Sequence, residues 1–140
     1  MTPPAAANPY PAASRLRGLW LTAGWLLVAL VIYLSLRYEP APLIADVGDK
    51  LQHILAYSVL MLWFSSLYLS KISRIGHACG FLALGIALEF IQGWSGYRSF
   101  EIADMVADAI GVSLGWVLAP PRLPSLLLLV ERRLKSPGMD

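Results

Sequence analysis

The stretch EFIQGWSGYRSFEIADMVADAIG, residues 89–111, places four carboxylates and one arginine inside a chain that is otherwise strongly apolar. Only 14% of the 140 residues are charged and 57% are hydrophobic, and the mean hydropathy is +0.61. Soluble domains of this length carry a more even mixture. Ionisable groups inside hydrocarbon are expensive, so the stretch indicates a membrane protein whose helices shelter these groups together.

Four apolar stretches each approach the roughly 20 residues that a helix needs to cross a bilayer. They are Gly18 to Leu36, Leu51 to Ser70, Ile75 to Trp94, and Ile102 to Ala119. We predict an all-α, integral membrane four-helix bundle over residues 18–119, after a disordered cytoplasmic tail over 1–17. A cytoplasmic interfacial tail is predicted over 120–140, where Leu126 to Leu134 form either a short amphipathic helix on the membrane or a solvated segment.

The basic residues predict the orientation of these helices. If the helices alternate in direction, eight of the eleven basic residues fall on one side of the membrane and three on the other. Positive residues favour the cytoplasm, so both termini are predicted on the cytoplasmic side of the membrane, with the loop that contains Arg98 facing outward. A net charge of +2 without a basic stripe argues against nucleic-acid binding. The single cysteine, Cys79, excludes an intrachain disulfide.

Polar residues from three helices are predicted to converge near the outer side. At about 100° per residue, Glu101, Asp104, Asp108, Gly111 and Gly115 form one stripe along the fourth helix. The third helix offers two further side chains and the second helix four, and Arg98 lies in the loop that can reach over them. These side chains are Glu89 and Gln92 on the third helix, and Asp49, Lys50, His53 and Tyr57 on the second.

We select eight residues as ligand-binding candidates: Asp49, Lys50, His53, Glu89, Gln92, Arg98, Asp104 and Asp108. Arg98 and Lys50 suit an anionic group such as phosphate, and Arg98 could instead pair bidentately with Asp104 or Glu101. Glu89 and Asp104 could position polar groups or exchange protons, and Gln92 could hydrogen-bond neutral ones. The catalytic residues and any cofactor stay open.

Other uses of the same residues stay possible. The charges could pin the helices together without a ligand, as a non-catalytic packing network. Carboxylates and His53 could bind a divalent cation, although their spacing matches no specific metal motif and we assign no metal. A proton or ion path is less favoured because the inner halves of the helices carry few polar groups.

Two glycine patterns are weaker signals. Gly93 to Gly96 spell G-x-S-G, which resembles the nucleophile motif of intramembrane serine proteases, but glycines that end a helix explain the same letters. Gly76 and Gly80 form a G-x-x-x-G pair that is compatible with a homo-oligomer.

The set of polar positions resembles the VanZ-like family of small multipass bacterial membrane proteins. The resemblance rests on the order Asp49, Lys50, His53, Tyr57, Glu89-x-x-Gln92, Arg98-Ser99, Asp104 and Gly111, and it covers about residues 15–119. It departs at Asp108, where the family usually carries asparagine. The family is named for low-level resistance to the glycopeptide teicoplanin. The resemblance therefore implies a role in the cell envelope at a bacterial inner membrane, and no particular reaction. From the residues themselves we favour an outward-facing site that binds or modifies a polar ligand head, such as part of a lipid-linked envelope precursor in the bilayer, with Arg98 and Lys50 as the anion contacts.

The predicted orientation can be tested with single cysteines in a Cys79→Ala background. In intact cells, an impermeant thiol reagent should label a Tyr97→Cys variant and leave a Ser73→Cys variant unlabelled, because the two positions lie on opposite sides. Labelling of the cysteine at position 73 alone would reverse the orientation.

Overall fold

The computed structural model describes residues 15–37, 46–96, 98–125, 129–130 and 133. This part of the chain contains four α-helices. In chain order they are α1 (Arg15–Leu36), α2 (Asp46–Leu67), α3 (Lys71–Ser95) and α4 (Ile102–Leu118). Each helix coincides with one predicted apolar stretch, so the all-α four-helix prediction is confirmed.

The helix boundaries differ from the prediction at the polar ends. α1 and α2 begin before Gly18 and Leu51, because the polar residues that precede each apolar run are also helical. The predicted tail over 1–17 thus loses its last three residues to α1, and its remainder lies outside the described residues. The predicted amphipathic helix, Leu126 to Leu134, also lies largely outside them.

Two of the four helices are long and apolar enough to cross a membrane, judged by length and composition. They are the segments Leu16–Leu36 and Lys71–Ser95, which correspond to α1 and α3. α4 has 17 residues, and the first turns of α2 carry the charged residues Asp49 and Lys50. The finding covers two of the four membrane spans that the sequence predicts.

α2 and α4 share the largest helix interface, and they run parallel. Two glycines of α4 allow the close approach. A Cβ atom on Gly111 would lie 2.6 Å from the carbonyl oxygen of Ile54, and one on Gly115 would lie 2.5 Å from that of Ser58. The Ser58 hydroxyl also donates to the Gly111 carbonyl at 3.0 Å. The glycine half of the predicted α4 stripe therefore faces α2 directly.

The apolar core lies along the other faces of α2 and reaches all four helices. Phe64 is its centre, with edge contacts to the rings of Trp25 and Phe81. Trp63 stacks on Trp20 and donates its indole N–H to the Trp20 carbonyl, which fixes α1 against α2. The buried residues of this core are Val28, Tyr57, Leu60, Met61, Phe64, Phe81 and Val112.

One arginine ties the helix ends together at the side opposite Arg98. The guanidinium of Arg74 donates to the carbonyls of Ser65, Tyr68 and Pro120. These carbonyls lie near the ends of α2 and α4, where helices leave acceptors without internal partners. The sequence suggested only a basic residue near the inner membrane surface, whereas the structure gives Arg74 a packing role.

The parallel α2–α4 interface can be tested with two glycine substitutions. Gly111→Val should lower the free energy of unfolding by roughly 1–3 kcal/mol, because its side chain would overlap the α2 backbone. Gly80→Val is the matched control, since a Cβ at Gly80 has no neighbour within 4 Å. Thermal unfolding of the detergent-solubilised protein measures both. Equal destabilisation by the two variants would contradict the close packing.

Candidate functional site

The polar cluster consists of the side chains that meet between the first turns of α2 and α4, the C-terminal part of α3, and the loop before α4. Its members are Asp49, Lys50, His53, Glu89, Arg98, Glu101, Asp104 and Asp108. Three of the acids are almost fully buried: Glu89, Asp104 and Asp108 are 1%, 3% and 2% exposed. Charged groups are rarely buried to this extent unless partners surround them.

Lys50 lies between two acids of α4. Its ammonium Nζ is 2.5 Å from Glu101 Oε2 and 2.7 Å from Asp104 Oδ1. Glu101 is exposed, whereas Asp104 is buried. The ammonium group therefore links the solvent edge of the cluster to its interior and joins α2 to the first turn of α4.

One turn further along α2, the imidazole of His53 lies between the two aspartates of α4. Its Nδ1 is 2.8 Å from Asp108 Oδ1, and its Nε2 is 3.7 Å from Asp104 Oδ2. When Asp108 is ionised, its carboxylate accepts this hydrogen bond from the Nδ1–H of His53. The second separation is too long for a hydrogen bond.

Glu89 connects α3 to the start of α4. Its Oε2 accepts the backbone N–H of Glu101 at 3.0 Å, at the N-terminus of α4, where N–H groups lack helical partners. Its Oε1 is buried and has no hydrogen-bond partner among the described residues. The favourable position of a carboxylate at a helix N-terminus offsets part of the cost of its burial.

A second group of buried oxygens lies beside Gly85 of α3. Tyr57 Oη and Asp108 Oδ2 have no hydrogen-bond partner in the described part of the chain. Both would contact a Cβ atom placed on Gly85, so the absence of a side chain there leaves room for these polar atoms. The interior next to His53 is therefore polar and incompletely hydrogen-bonded.

A cavity of about 280 Å³ lies between α1 and α2, below the loop that carries Arg98. Its walls combine polar groups near the end of α1 and the start of α2 with apolar side chains deeper along both helices. The lining residues are Val31, Leu34, Ser35, Arg37, Asp49, Gln52, His53, Leu55, Ala56, Tyr57 and Arg98. The volume lies just below the usual range for small-molecule sites.

Arg98 covers this cavity with long contacts. Its Nη2 is 3.3 and 3.4 Å from the two oxygens of Asp49, and its Nη1 is 3.4 Å from the Ser35 carbonyl. Charge-assisted hydrogen bonds are normally about 2.7–2.9 Å long. Within the described part of the chain, the guanidinium thus has long contacts only, and a closer anionic acceptor would bind it more strongly.

The structure brings seven of the eight candidate residues into the polar cluster and places Gln92 beside it. Gln92 donates from Nε2 to the carbonyl and hydroxyl oxygens of Ser35 on α1, at 2.8 and 2.9 Å. The pairing within the cluster differs from the pairing considered from sequence. Lys50, not Arg98, contacts Glu101 and Asp104, because Arg98 is directed toward Asp49 and α1.

The polar cavity residues that the sequence reasoning missed are Ser35, Arg37 and Gln52. The sequence suggested a site between α2, α3 and α4, but α1 supplies one cavity wall. Ser35 is one of the few polar residues in an apolar helix, and this was the available signal. The protease alternative gains no geometric support, since the Ser95 hydroxyl donates to the Gln92 carbonyl and Gly96 ends α3 with φ 76°.

Comparison with known proteins identifies one informative relative. No protein-family model matches the chain, and no solved structure matches it. An uncharacterized protein of the fission yeast Schizosaccharomyces pombe is 31% identical over 96 residues, which cover 66% of this chain and 58% of the relative. The chain thus spans less than two thirds of the length of that relative. The VanZ-like resemblance stays a prediction.

The role of Lys50 can be tested by removing its charge. Lys50→Met should lower the free energy of unfolding by roughly 1–3 kcal/mol, between the values for exposed and buried ion pairs, because Asp104 loses its nearest cation. Unfolding in detergent measures the loss. Lys71→Met, at the exposed start of α3, is the control.

A double variant separates lost attraction from general damage. Adding Asp104→Asn to Lys50→Met should recover part of the stability, since the unpaired buried charge is then gone. Strictly additive losses would show that Lys50 and Asp104 do not interact.

Proposed function

We propose that the chain is a multipass membrane protein of the VanZ-like kind, and that the cavity below Arg98 binds the polar headgroup of a cell-envelope component. The proposal has two parts, a membrane location and a headgroup site. Each part is supported by its own observations.

The distribution of polar and apolar side chains supports the membrane location. Buried charged residues lie inside the helix bundle, while large apolar side chains cover its surface. Among the described residues, Trp94, Ile72, Ile102 and Leu19 are 91%, 84%, 68% and 66% exposed. In water this arrangement would expose a large apolar surface, whereas in a bilayer it places the hydrocarbon-facing and sheltered groups correctly.

The position and the long contacts of Arg98 are the main support for the headgroup site. Its guanidinium has only long contacts with Asp49 and Ser35, and it lies over a cavity whose deeper walls include Val31, Leu34 and Leu55. The guanidinium can bind the anionic phosphate or carboxylate group of an amphiphile, and the apolar wall below it can contact an acyl or prenyl chain. The cavity volume fits a headgroup rather than a whole lipid.

The choice of membrane rests on the VanZ-like resemblance, and the orientation rests on the uneven distribution of basic residues between the two sides. We propose the bacterial inner membrane, with both termini in the cytoplasm and the cavity in the outer leaflet. A lipid-linked envelope precursor would reach such a cavity from the bilayer. The proposal also connects the chain with teicoplanin, and expression in a glycopeptide-sensitive bacterium should then raise resistance slightly.

The rival function is a non-catalytic packing or interaction protein. One observation favours it: Lys50 and His53 join α2 to α4, and Glu89 joins α3 to α4, so the charges already hold helices together. In that case Arg98 and Asp104 would serve assembly alone. Loss of the protein from the membrane in both Arg98→Ala and Asp104→Asn variants would support this rival.

Binding of a short-chain anionic lipid tests the headgroup site. Dioctanoyl phosphatidylglycerol should bind to the detergent-solubilised protein, and Arg98→Ala should weaken it roughly 10- to 100-fold, as expected for a lost hydrogen bond to a charged group. Dioctanoylglycerol lacks the phosphate and should bind equally weakly to both proteins. Arg122→Ala is the control, because Arg122 is exposed and donates to the Val117 carbonyl at the other end of α4.

Equal lipid binding by folded Arg98→Ala and unmodified protein would contradict the proposed headgroup site. Binding without any chemical change would define a binding protein. Turnover of a lipid-linked substrate that Glu89→Gln abolishes would extend the proposal from binding to modification.

A further inference from the structure

We propose that Asp49, His53 and Asp104 form a binding site for one divalent transition-metal cation, with Asp108 holding the His53 ring in the required state. This inference does not depend on the headgroup site. It rests on the geometry around a single imidazole and on one buried carboxylate whose Oδ2 faces that imidazole.

The orientation of His53 is the first observation. Its Nδ1 lies 2.8 Å from Asp108 Oδ1, so the ring is held with Nε2 directed toward Asp104. Nε2 and Asp104 Oδ2 are 3.7 Å apart. Two ligand atoms about 2.1 Å from a common Zn²⁺ ion lie roughly 3.4 Å apart in tetrahedral geometry. A cation between them would therefore be coordinated by both atoms when Nε2 carries no hydrogen.

The third ligand comes from the preceding turn of α2. Asp49 lies four residues before His53, so both side chains project from one side of the helix. Ligand atoms of Asp49, His53 and Asp104 all lie within 4.8 Å of one another. Small side-chain rotations bring three such atoms to metal-ligand distances. Arg98 opposes this only weakly, because its contacts with Asp49 are 3.3 and 3.4 Å long.

The burial and incomplete bonding of Asp104 are the second, independent observation. Asp104 is 3% exposed, and its Oδ1 is buried without a hydrogen bond. Lys50 Nζ lies 2.7 Å from that oxygen in an ion pair. Oδ2 faces His53 Nε2 beyond hydrogen-bond distance. Oδ2 is therefore the oxygen of Asp104 that can bind a cation, while Lys50 stays at Oδ1.

The donor set selects the class of cation. One imidazole nitrogen and two carboxylate oxygens suit Zn²⁺ or Mn²⁺, whereas Ca²⁺ and Mg²⁺ prefer oxygen ligands alone. Asp108 has the role of the carboxylate that commonly fixes the tautomer and direction of a metal-bound histidine. Asp49 and His53 also line the cavity, so an open coordination position would face it.

Metal binding to the full-length chain tests the inference, with Zn²⁺ and Mn²⁺ as the probes. In a metal-stripped Cys79→Ala background in detergent, calorimetry should show one saturable Zn²⁺ site. His53→Gln and Asp104→Asn should each weaken it at least 100-fold, and Asp108→Asn by 10- to 100-fold. His77→Gln is the matched control, since His77 Nδ1 contacts the Ser73 carbonyl near the opposite end of the bundle.

A measurement on the protein with all three proposed ligand residues intact keeps the proposal testable if the variants fail to fold. Pulsed electron paramagnetic resonance of bound Mn²⁺ should show coupling to one ¹⁴N nucleus, as one imidazole ligand requires. Absence of a saturable site, absence of the nitrogen coupling, or loss of binding in a folded His77→Gln variant would each overturn the proposal. Normal lipid binding with no metal site would leave the headgroup proposal standing while refuting this one.

Discussion

The close parallel contact between α2 and α4 is the constraint on which the arrangement of the polar cluster depends. Gly111 and Gly115 let the backbone of α4 approach carbonyls of α2 to a distance that no side chain would permit. Because the helices are rigid, this contact also fixes the register one and two turns earlier. Asp108 then meets His53, and Asp104 meets Lys50. The glycine contact and the charge contacts are therefore two parts of one interface.

The buried charges and the apolar surface are complementary consequences of this interface. A carboxylate such as Asp104 or Asp108 is expensive in a medium of low dielectric constant unless a partner is held against it. α2 supplies Lys50 and His53 as these partners. The charged side chains therefore face the interior of the bundle, and the outer faces of the helices can be apolar. The stability of the bundle is consequently sensitive to the removal of one partner and less sensitive to the apolar surface.

The sequence predicted the elements well and the contacts less well. Apolar runs of about 20 residues located all four helices, because the rise per residue of a helix determines how many apolar residues are needed to cross a bilayer. The 100° rotation per residue placed Asp104, Asp108 and the glycines on one face, since this requires only the geometry of one helix. The helical rotation alone could not predict the ion pairs Lys50–Glu101 and Arg98–Asp49, because such pairing depends on how separate helices rotate and shift against each other. Ser35 was missed for the same reason.

The short connection between α3 and α4 explains how Arg98 comes to lie over the cavity. α3 ends at Gly96, whose φ of 76° is readily adopted by glycine. A Cβ on Gly93 would lie 2.9 Å from Phe100 Cβ, so the chain folds back closely on the last turn of α3. Glu89 then accepts the N–H of Glu101 and fixes the point where α4 begins. With both ends of the connection held by α3, the reach of Arg98 is restricted to the end of α1 and the start of α2, where Ser35 and Asp49 receive it. The buried carboxylate of Glu89 therefore positions an arginine that it does not contact.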